Sequence, residues 1–203
     1  MKYFFALIFF SFPLLLSSEI EEEIVVMESN WLFIPSIDQI NQEEIEFYNS
    51  HHFKELLNLS SGVWISRGSG QESLISLRSP VLTGPGACGS FQILEDGIPI
   101  RPAGFCNVNN LFEVSGNLAS EIEVVKGPSS SVFGGNALHG VINIKTLKME
   151  GESKFNLETD KNESLRSTIF LRMFSNKIIA LDLDKDKGFR DQSGFDQQKL
   201  VFK

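Results

Sequence analysis

Stretches of helical spacing and stretches of strict alternation follow one another along this chain, and the changes between them mark its elements. The first run shows neither. Tyr3 to Leu16 is apolar apart from Ser11 and Pro13, with Lys2 before it and Ser17-Ser18 after it. A positive start, an apolar run too short for a comfortable membrane span and small residues at its end predict a secretory signal peptide over residues 1–18. Leu16 stands where a small residue is preferred, so an uncleaved anchor is the alternative. Residues 19–30 are acidic around one apolar patch, Ile24-Val25-Val26-Met27. That patch reads either as an edge strand or frayed terminus, or as an extended peptide that pairs with another protein's sheet edge.

Residues 31–148 carry most of the regular patterning. Loose alternation from Trp31 to Ile40 predicts a strand around Leu32 to Ile34. Asn41, followed three residues later by Glu44, is close to a capping box and predicts a short helix through Phe47. Ser50 is placed to cap a second helix with Phe53, Leu56 and Leu57 on its apolar face, ended by Ser61-Gly62. Period-two patterns predict strands at Val63-Trp64-Ile65 and over Ser73 to Arg78, where Leu74, Ser76 and Arg78 oppose Ile75 and Leu77. Arg78 then sits either in a buried ion pair or at the surface of a strand end. Phe91 to Glu95, Asp96-Gly97 and Ile98-Pro99-Ile100 predict a tight hairpin, since Asp and Gly both tolerate positive φ. Asn110 to Val114 predicts a short helix.

Glu121 to Thr146 reads as two apolar strands, one around Ile122, Val124 and Val125, the other around Val141, Ile142 and Ile144. The loop between them is dense in Gly, Ser and Pro and opens at Gly127-Pro128. Gly127, Gly134, Gly135 and Gly140 are expected where the backbone takes positive φ or passes close to another segment. A phosphate-cradling loop is a poor fit, because no Gly-Lys-Ser/Thr follows Gly134 or Gly135 and no G-x-G-x-x-G is present.

From residue 149 to 203 the texture becomes polar–apolar alternation broken by charged turns. Phe155, Leu157 and Thr159 fall on one face and Asn156 and Glu158 on the other. Leu165 to Phe174, Asn176 to Leu183 and Gln197 to Phe202 are further strand candidates, and Asp184-Lys185-Asp186-Lys187-Gly188 reads as a turn or loop. Alternation of this kind suits strands with one lipid-facing and one lumen-facing side, or an ordinary antiparallel sheet.

Composition narrows the chemistry. The 203 residues are 42% hydrophobic and 22% charged, ordinary for a folded protein, and the net charge of −8 argues against nucleic acid as a partner. Cys88 and Cys106 are the only two cysteines. Export places them in an oxidising compartment, where a bridge would close a loop of about 19 residues and stabilise the fold by roughly 3 kcal/mol. Two free thiols are the alternative. His51, His52 and His139 lack metal-ligand spacing, and His51-His52 reads as a solvated pair at a helix start. No catalytic residue, metal site or cofactor is expected, and acids such as Asp96 and Glu123 are better explained by turns and strand faces.

Several of these segments together resemble the plug domain of TonB-dependent outer-membrane receptors, over roughly residues 22 to 147. Ile122-Glu123-Val124 with Lys126-Gly127-Pro128 follows that family's "IEVxrGP", with lysine in place of the commoner arginine. Ser130, Phe133-Gly134, Ala137 and Gly140-Val141-Ile142-Asn143-Ile144 follow its "S-x-x-y-G-x-x-A-x-G-G-V-I-N-I", His139 standing at the first paired glycine. Phe91 to Pro99 is similar to its "v-x-v-D-G-v-P" hairpin, and Leu77-Arg78 to its "iRG" strand, with Ser79 where glycine is usual. By this resemblance the Ile24–Met27 patch is a TonB box, which engages an inner-membrane energy transducer from the periplasm.

The fold implied is an α+β plug domain, a small mixed β-sheet with short helices. The first antiparallel strands of an incomplete transmembrane β-barrel follow it. The function implied is energy-coupled uptake of a scarce small-molecule ligand across the outer membrane. A siderophore or other metal chelate is the leading cargo, with haem, cobalamin and saccharides behind it. Loops around Ser79 to Ser90 and Arg101 to Asn107 would contact that ligand. Residues 149–203 have room for about four spanning strands of roughly 9–11 residues, against about 8 in the smallest closed barrels, so a truncated or fragmentary receptor is expected. A soluble periplasmic interaction or signalling module is the rival function.

Overall fold

The computed structural model describes residues 36–50, 52–68, 72–79, 89–100, 111, 113–148, 152–160, 164–173, 177–188 and 190–203. In chain order the first part holds β1 (Ile37–Ile40), α1 (Gln42–Tyr48), α2 (Phe53–Leu57), β2 (Val63–Arg67), β3 (Ser73–Leu77), β4 (Phe91–Glu95), β5 (Ile98–Pro99), β6 (Ala119–Lys126), α3 (Ser130–Phe133) and β7 (Gly140–Thr146). The second part holds β8 (Lys154–Thr159), β9 (Leu165–Met173), β10 (Lys177–Asp186) and β11 (Phe195–Phe202).

The central sheet runs β1-β6-β7-β4-β5. It is mixed, because β4 lies parallel to β7, with Phe91 opposite Gly140 and Glu95 opposite Ile144. Its other pairings are antiparallel, and β2 and β3 form a separate antiparallel pair. Central strands buried on both faces should read as near-continuous apolar runs. Val141, Ile142 and Ile144 obey this: each is fully buried, yet they divide between two cores. Ile142 and Ile144 join Phe91, Ile93, Ile122 and Val124 under α2, while Val141 packs with Leu94, Val125 and Ala137 against Phe133. Each such side chain contributes roughly 1.5–3 kcal/mol by leaving water.

Local chemistry explains the helix ends. Asn41 caps α1 by accepting from the Glu44 N–H at 3.0 Å, while Glu44 Oε2 accepts from the Asn41 N–H at 2.9 Å, the full capping box expected. The cap of α2 is not Ser50 but His52, whose Nδ1 accepts the Lys54 N–H at 2.9 Å. His52 is therefore a buried structural histidine and not part of a solvated pair. His51 and the Leu32 to Ile34 segment lie outside the described residues. Of the Asn110 to Val114 expectation, Asn110 and Phe112 lie outside the described residues; Val114 N–H donates to Leu111 O at 3.4 Å, and a 3-10 turn follows at Gly116–Leu118.

The four later strands pair in sequence as the antiparallel sheet β8-β9-β10-β11. The Asp184 to Gly188 expectation needs correction, since β10 continues through Asp186. Alternation explains why: Asp184 and Asp186 share one face, while Lys185 takes the other and lies 3.7 Å from Asp196 of β11. On that second face lie Phe155 and Leu157, Ile169 and Leu171, Ile179, Leu181 and Leu183, and Leu200 and Phe202. The opposite face carries Glu158, Arg166, Asp182 and Lys199 and packs on the first part of the chain.

Candidate functional site

The residues singled out in the sequence gather at two ends of the central sheet. At one end is the β4–β5 turn, where Asp96 (φ 50) and Gly97 (φ 80) both adopt left-handed backbone. Gly97 N–H donates to Asn143 Oδ1 at 3.0 Å, and Asn143 Nδ2 donates to Glu123 Oε2 at 3.0 Å. Asn143 thus links the turn to β6 through β7. Asp96 does more than turn the chain. Its carboxylate accepts from Thr146 N–H at 2.9 Å and Thr146 Oγ1 at 2.7 Å, and Lys203 Nζ lies 2.7 Å away. Partial burial pushes the Asp96 carboxyl up, but hydrogen bonds from Lys203 and Thr146 outweigh this and hold it below the usual range.

At the other end, Gly127 N–H donates to His139 O at 2.9 Å just before Pro128. Gly140 has φ 145, and a Cβ there would strike the Val125 carbonyl oxygen and lie 2.7 Å from Leu77 Cδ2. Gly134 has φ 91 and ends α3, whereas Gly135 meets open space and is absent from the positive-φ glycines. The reading of Gly135 is corrected accordingly. Arg78 is exposed directly after β3 with φ 48, so the surface position holds and the buried ion pair does not. Ile24, Val25, Val26 and Met27, Cys88 and Cys106, and most of both expected ligand loops lie outside the described residues.

Sequence reasoning missed two polar constellations. In the first, Lys126 Nζ donates to Asp38 Oδ2 at 2.5 Å and to Ser61 Oγ at 3.2 Å, and Ser60 Oγ donates to Asp38 at 2.6 Å. The Lys126 side chain is only 4% exposed. Burial raises the Asp38 carboxyl, yet its bonds to Lys126 and Ser60 leave it below the ordinary value.

The second constellation fastens the first part of the chain to the later strands. Asp182 of β10 is buried and accepts from Ser115 Oγ at 2.5 Å, Asn117 Nδ2 at 3.1 Å and Thr168 Oγ1 at 3.0 Å. Lys199 Nζ donates to Val114 O at 2.5 Å, and Lys203 Nζ donates to Thr146 O. A buried carboxylate with three donors is costly to strip, on the order of several kcal/mol. Contacts to β8 are of another kind. Lys154 Nζ lies 2.7 Å from Glu46 Oε1 with both side chains more than half exposed, and Asn49 Nδ2 donates to Glu158 Oε1. Exposed pairs of this sort contribute about 0–1 kcal/mol. Between them and the Gly116–Leu118 turn lies a cleft of about 660 Å³. The only plain sequence signal for any of this was an acid, Asp182, alternating with leucines in β10.

Among the described residues no group of three or more His, Cys, Asp or Glu is placed to hold a metal, and no helix is long and apolar enough to cross a membrane. The strands, by contrast, present an outward apolar face and an inward polar one.

A family model described as the TonB-dependent Receptor Plug Domain matches residues 33–141. The chain belongs to that family. The TonB-dependent receptor relatives include the vitamin B12 transporter BtuB of Vibrio vulnificus (strain YJ016), 27% identical over 183 residues, which covers 82% of this chain and 29% of the transporter. Among solved structures, the ferric citrate transporter FecA in its unliganded form aligns with a TM-score of 0.61 at 20% identity, covering 83% of this chain and 28% of that one. The ferric yersiniabactin uptake receptor FyuA from Yersinia pestis aligns at 0.57 and 19% identity, covering 74% and 24%. The chain thus spans under a third of the length of each of these relatives. In fold it is a plug domain followed by antiparallel wall strands, and its place is the outer membrane. Its relatives are transporters and receptors.

Proposed function

We propose that the chain forms the plug and first wall strands of an energy-coupled receptor that imports a metal chelate. The observation that carries this reading is the plug sheet fastened, through Asp182, Lys199 and Lys203, to a strand layer with an apolar outward face. A soluble module would leave Phe155, Leu157, Leu200 and Phe202 in water, each more than half exposed on that face. The relative at 27% identity is a vitamin B12 transporter, and cobalamin is itself a cobalt chelate, so siderophores and cobalamin share the leading class.

In this reading Ile24 to Met27 are the TonB box, drawn on by a periplasmic transducer, and Cys88 and Cys106 form a bridge in the exported protein. The plug occludes the barrel lumen until it is pulled. The test is uptake by cells producing the full protein, in a strain without competing receptors. The probes are radiolabelled cyanocobalamin and a panel of ferric siderophores. Uptake of one probe that stops when the transducer is deleted is expected. Failure to bind or import any of them, or import indifferent to the transducer, would overturn the reading.

A further inference from the structure

Arg166 sits on the inward face of β9 with its side chain only 3% exposed. Its guanidinium is incompletely used. Nη1 reaches Glu158 Oε2 at a long 3.4 Å, while Nε and Nη2 are closed to water and meet no acceptor among the described residues. Nε–H and Nη2–H point the same way, forming the two-pronged edge that a carboxylate fits with both its oxygens. Arg166 lines neither the cleft of about 660 Å³ nor a smaller cavity of about 30 Å³ beside Asp182. Buried donors left without an acceptor are costly.

The acceptors within reach are carboxylates of the neighbouring strands. Glu158 of β8 and Asp184 of β10 both stand opposite Arg166 in register. Two fixed negative charges at this spot disfavour a free anion. Glu158 is shared between plug and wall. Its Oε1 accepts from Asn49 Nδ2, at the C-cap of α1, and Oε2 alone is turned to Arg166. The Glu158 side chain is 32% exposed and can turn without disturbing the strands, since opposite residues on one face lie about 5 Å apart at Cβ.

We propose that Asn49 and Arg166 compete for Glu158, which makes Arg166 a positioning residue for the plug. While α1 is seated, the amide draws the carboxylate toward the plug and the guanidinium edge goes unmet. When α1 shifts, Glu158 turns onto that edge and closes a two-pronged ion pair inside the wall. The bond that the plug gives up is replaced between β8 and β9, and an unmet pair of donors is relieved. The use of this exchange rests on the transport reading above, in which the plug moves; the exchange itself does not. An arginine that merely braces the wall acts in the opposite sense, because its removal would loosen the surface under α1.

The test is amide hydrogen exchange over residues 42–49, measured by mass spectrometry on the full protein purified in detergent. Arg166→Met keeps the length of the side chain and removes its donors, so exchange in α1 should slow about threefold. Glu158→Gln still accepts from Asn49 but cannot form the ion pair, and should slow exchange to a similar degree if Arg166→Met fails to fold. Asn49→Ala should speed exchange by about twofold or less with Arg166 present, and by about fivefold in the Arg166→Met background, because only Arg166 can take over the freed carboxylate. Unchanged or faster exchange in Arg166→Met and Glu158→Gln, or equal effects of Asn49→Ala in both backgrounds, would overturn the proposal. Uptake of cyanocobalamin and ferric siderophores is followed in parallel. A parent that imports none of them would remove the transport reading, and hydrogen exchange would still decide the competition for Glu158.

Discussion

Lys126 Nζ lies 2.5 Å from Asp38 Oδ2, so the last residue of β6 grips β1 through a side chain almost closed to water. Replacing Lys126 by Met keeps the apolar stem and removes the charge. Asp38 is about one-third exposed and can recover some hydration, which limits the loss below that of a fully buried pair. We expect Lys126→Met to lower stability by about 1–2 kcal/mol, read from the urea midpoint at unchanged slope. An unshifted midpoint would show that the pair contributes nothing net.

Gly140 makes a sharper case. Its φ of 145 disfavours any side chain, and a Cβ would run into the Val125 carbonyl and Leu77. Backbone atoms cannot step aside as a flexible side chain can. Gly140→Ala should therefore cost about 2–4 kcal/mol, whereas Gly135→Ala, built into open space, should change stability by about 0.5 kcal/mol or less. Equal effects in thermal or chemical unfolding would contradict the geometry.

Acid should loosen the junction at Asp96. Its carboxyl titrates below the ordinary Asp value in the folded chain. A depressed carboxylate stabilises the fold above the unfolded-state value, and that contribution is lost as pH falls through the folded-state value. With the Asp96 side chain about one-third exposed and its ammonium partner partly solvated, Asp96→Asn should cost about 1 kcal/mol at neutral pH. The parent and variant stability curves should converge below about pH 4. Curves that stay parallel down to pH 3 would show that the ion pair with Lys203 is not the source.

The segment ahead of the plug invites a functional deletion. Removing Ile24 to Met27 from the full protein should abolish uptake of the imported chelate while leaving its surface binding intact. Retained uptake would remove the TonB-box role.

What the sequence made legible was local. The Asn41/Glu44 box, the Asp96-Gly97 turn and the Phe155/Leu157 alternation each depend on neighbours within a few residues, and each is found as expected. Where the partner was distant, pattern failed. Nothing near Asp182 announces Ser115, 67 residues away, and nothing near Asp96 announces Lys203. His52 was misread because a histidine seldom caps a helix, and only its burial and Nδ1 geometry reveal that role. The charged run after Leu183 was misread as a turn because its alternation, two acids inward and a lysine outward, mimics loop composition.

Lys177 and Lys185 stand on the outward face of β10 with Ile179, Leu181 and Leu183 between them. At ~3.3 Å per residue the two ammonium groups are about 26 Å apart along the strand, and roughly 20 Å apart in depth at a tilt near 40°. That interval suits the thin hydrocarbon layer of a bacterial outer membrane. If this face meets lipid, as the transport reading has it, the two lysines bracket its apolar stretch on stems long enough to carry each ammonium to water, and so favour one height of the strand in the membrane.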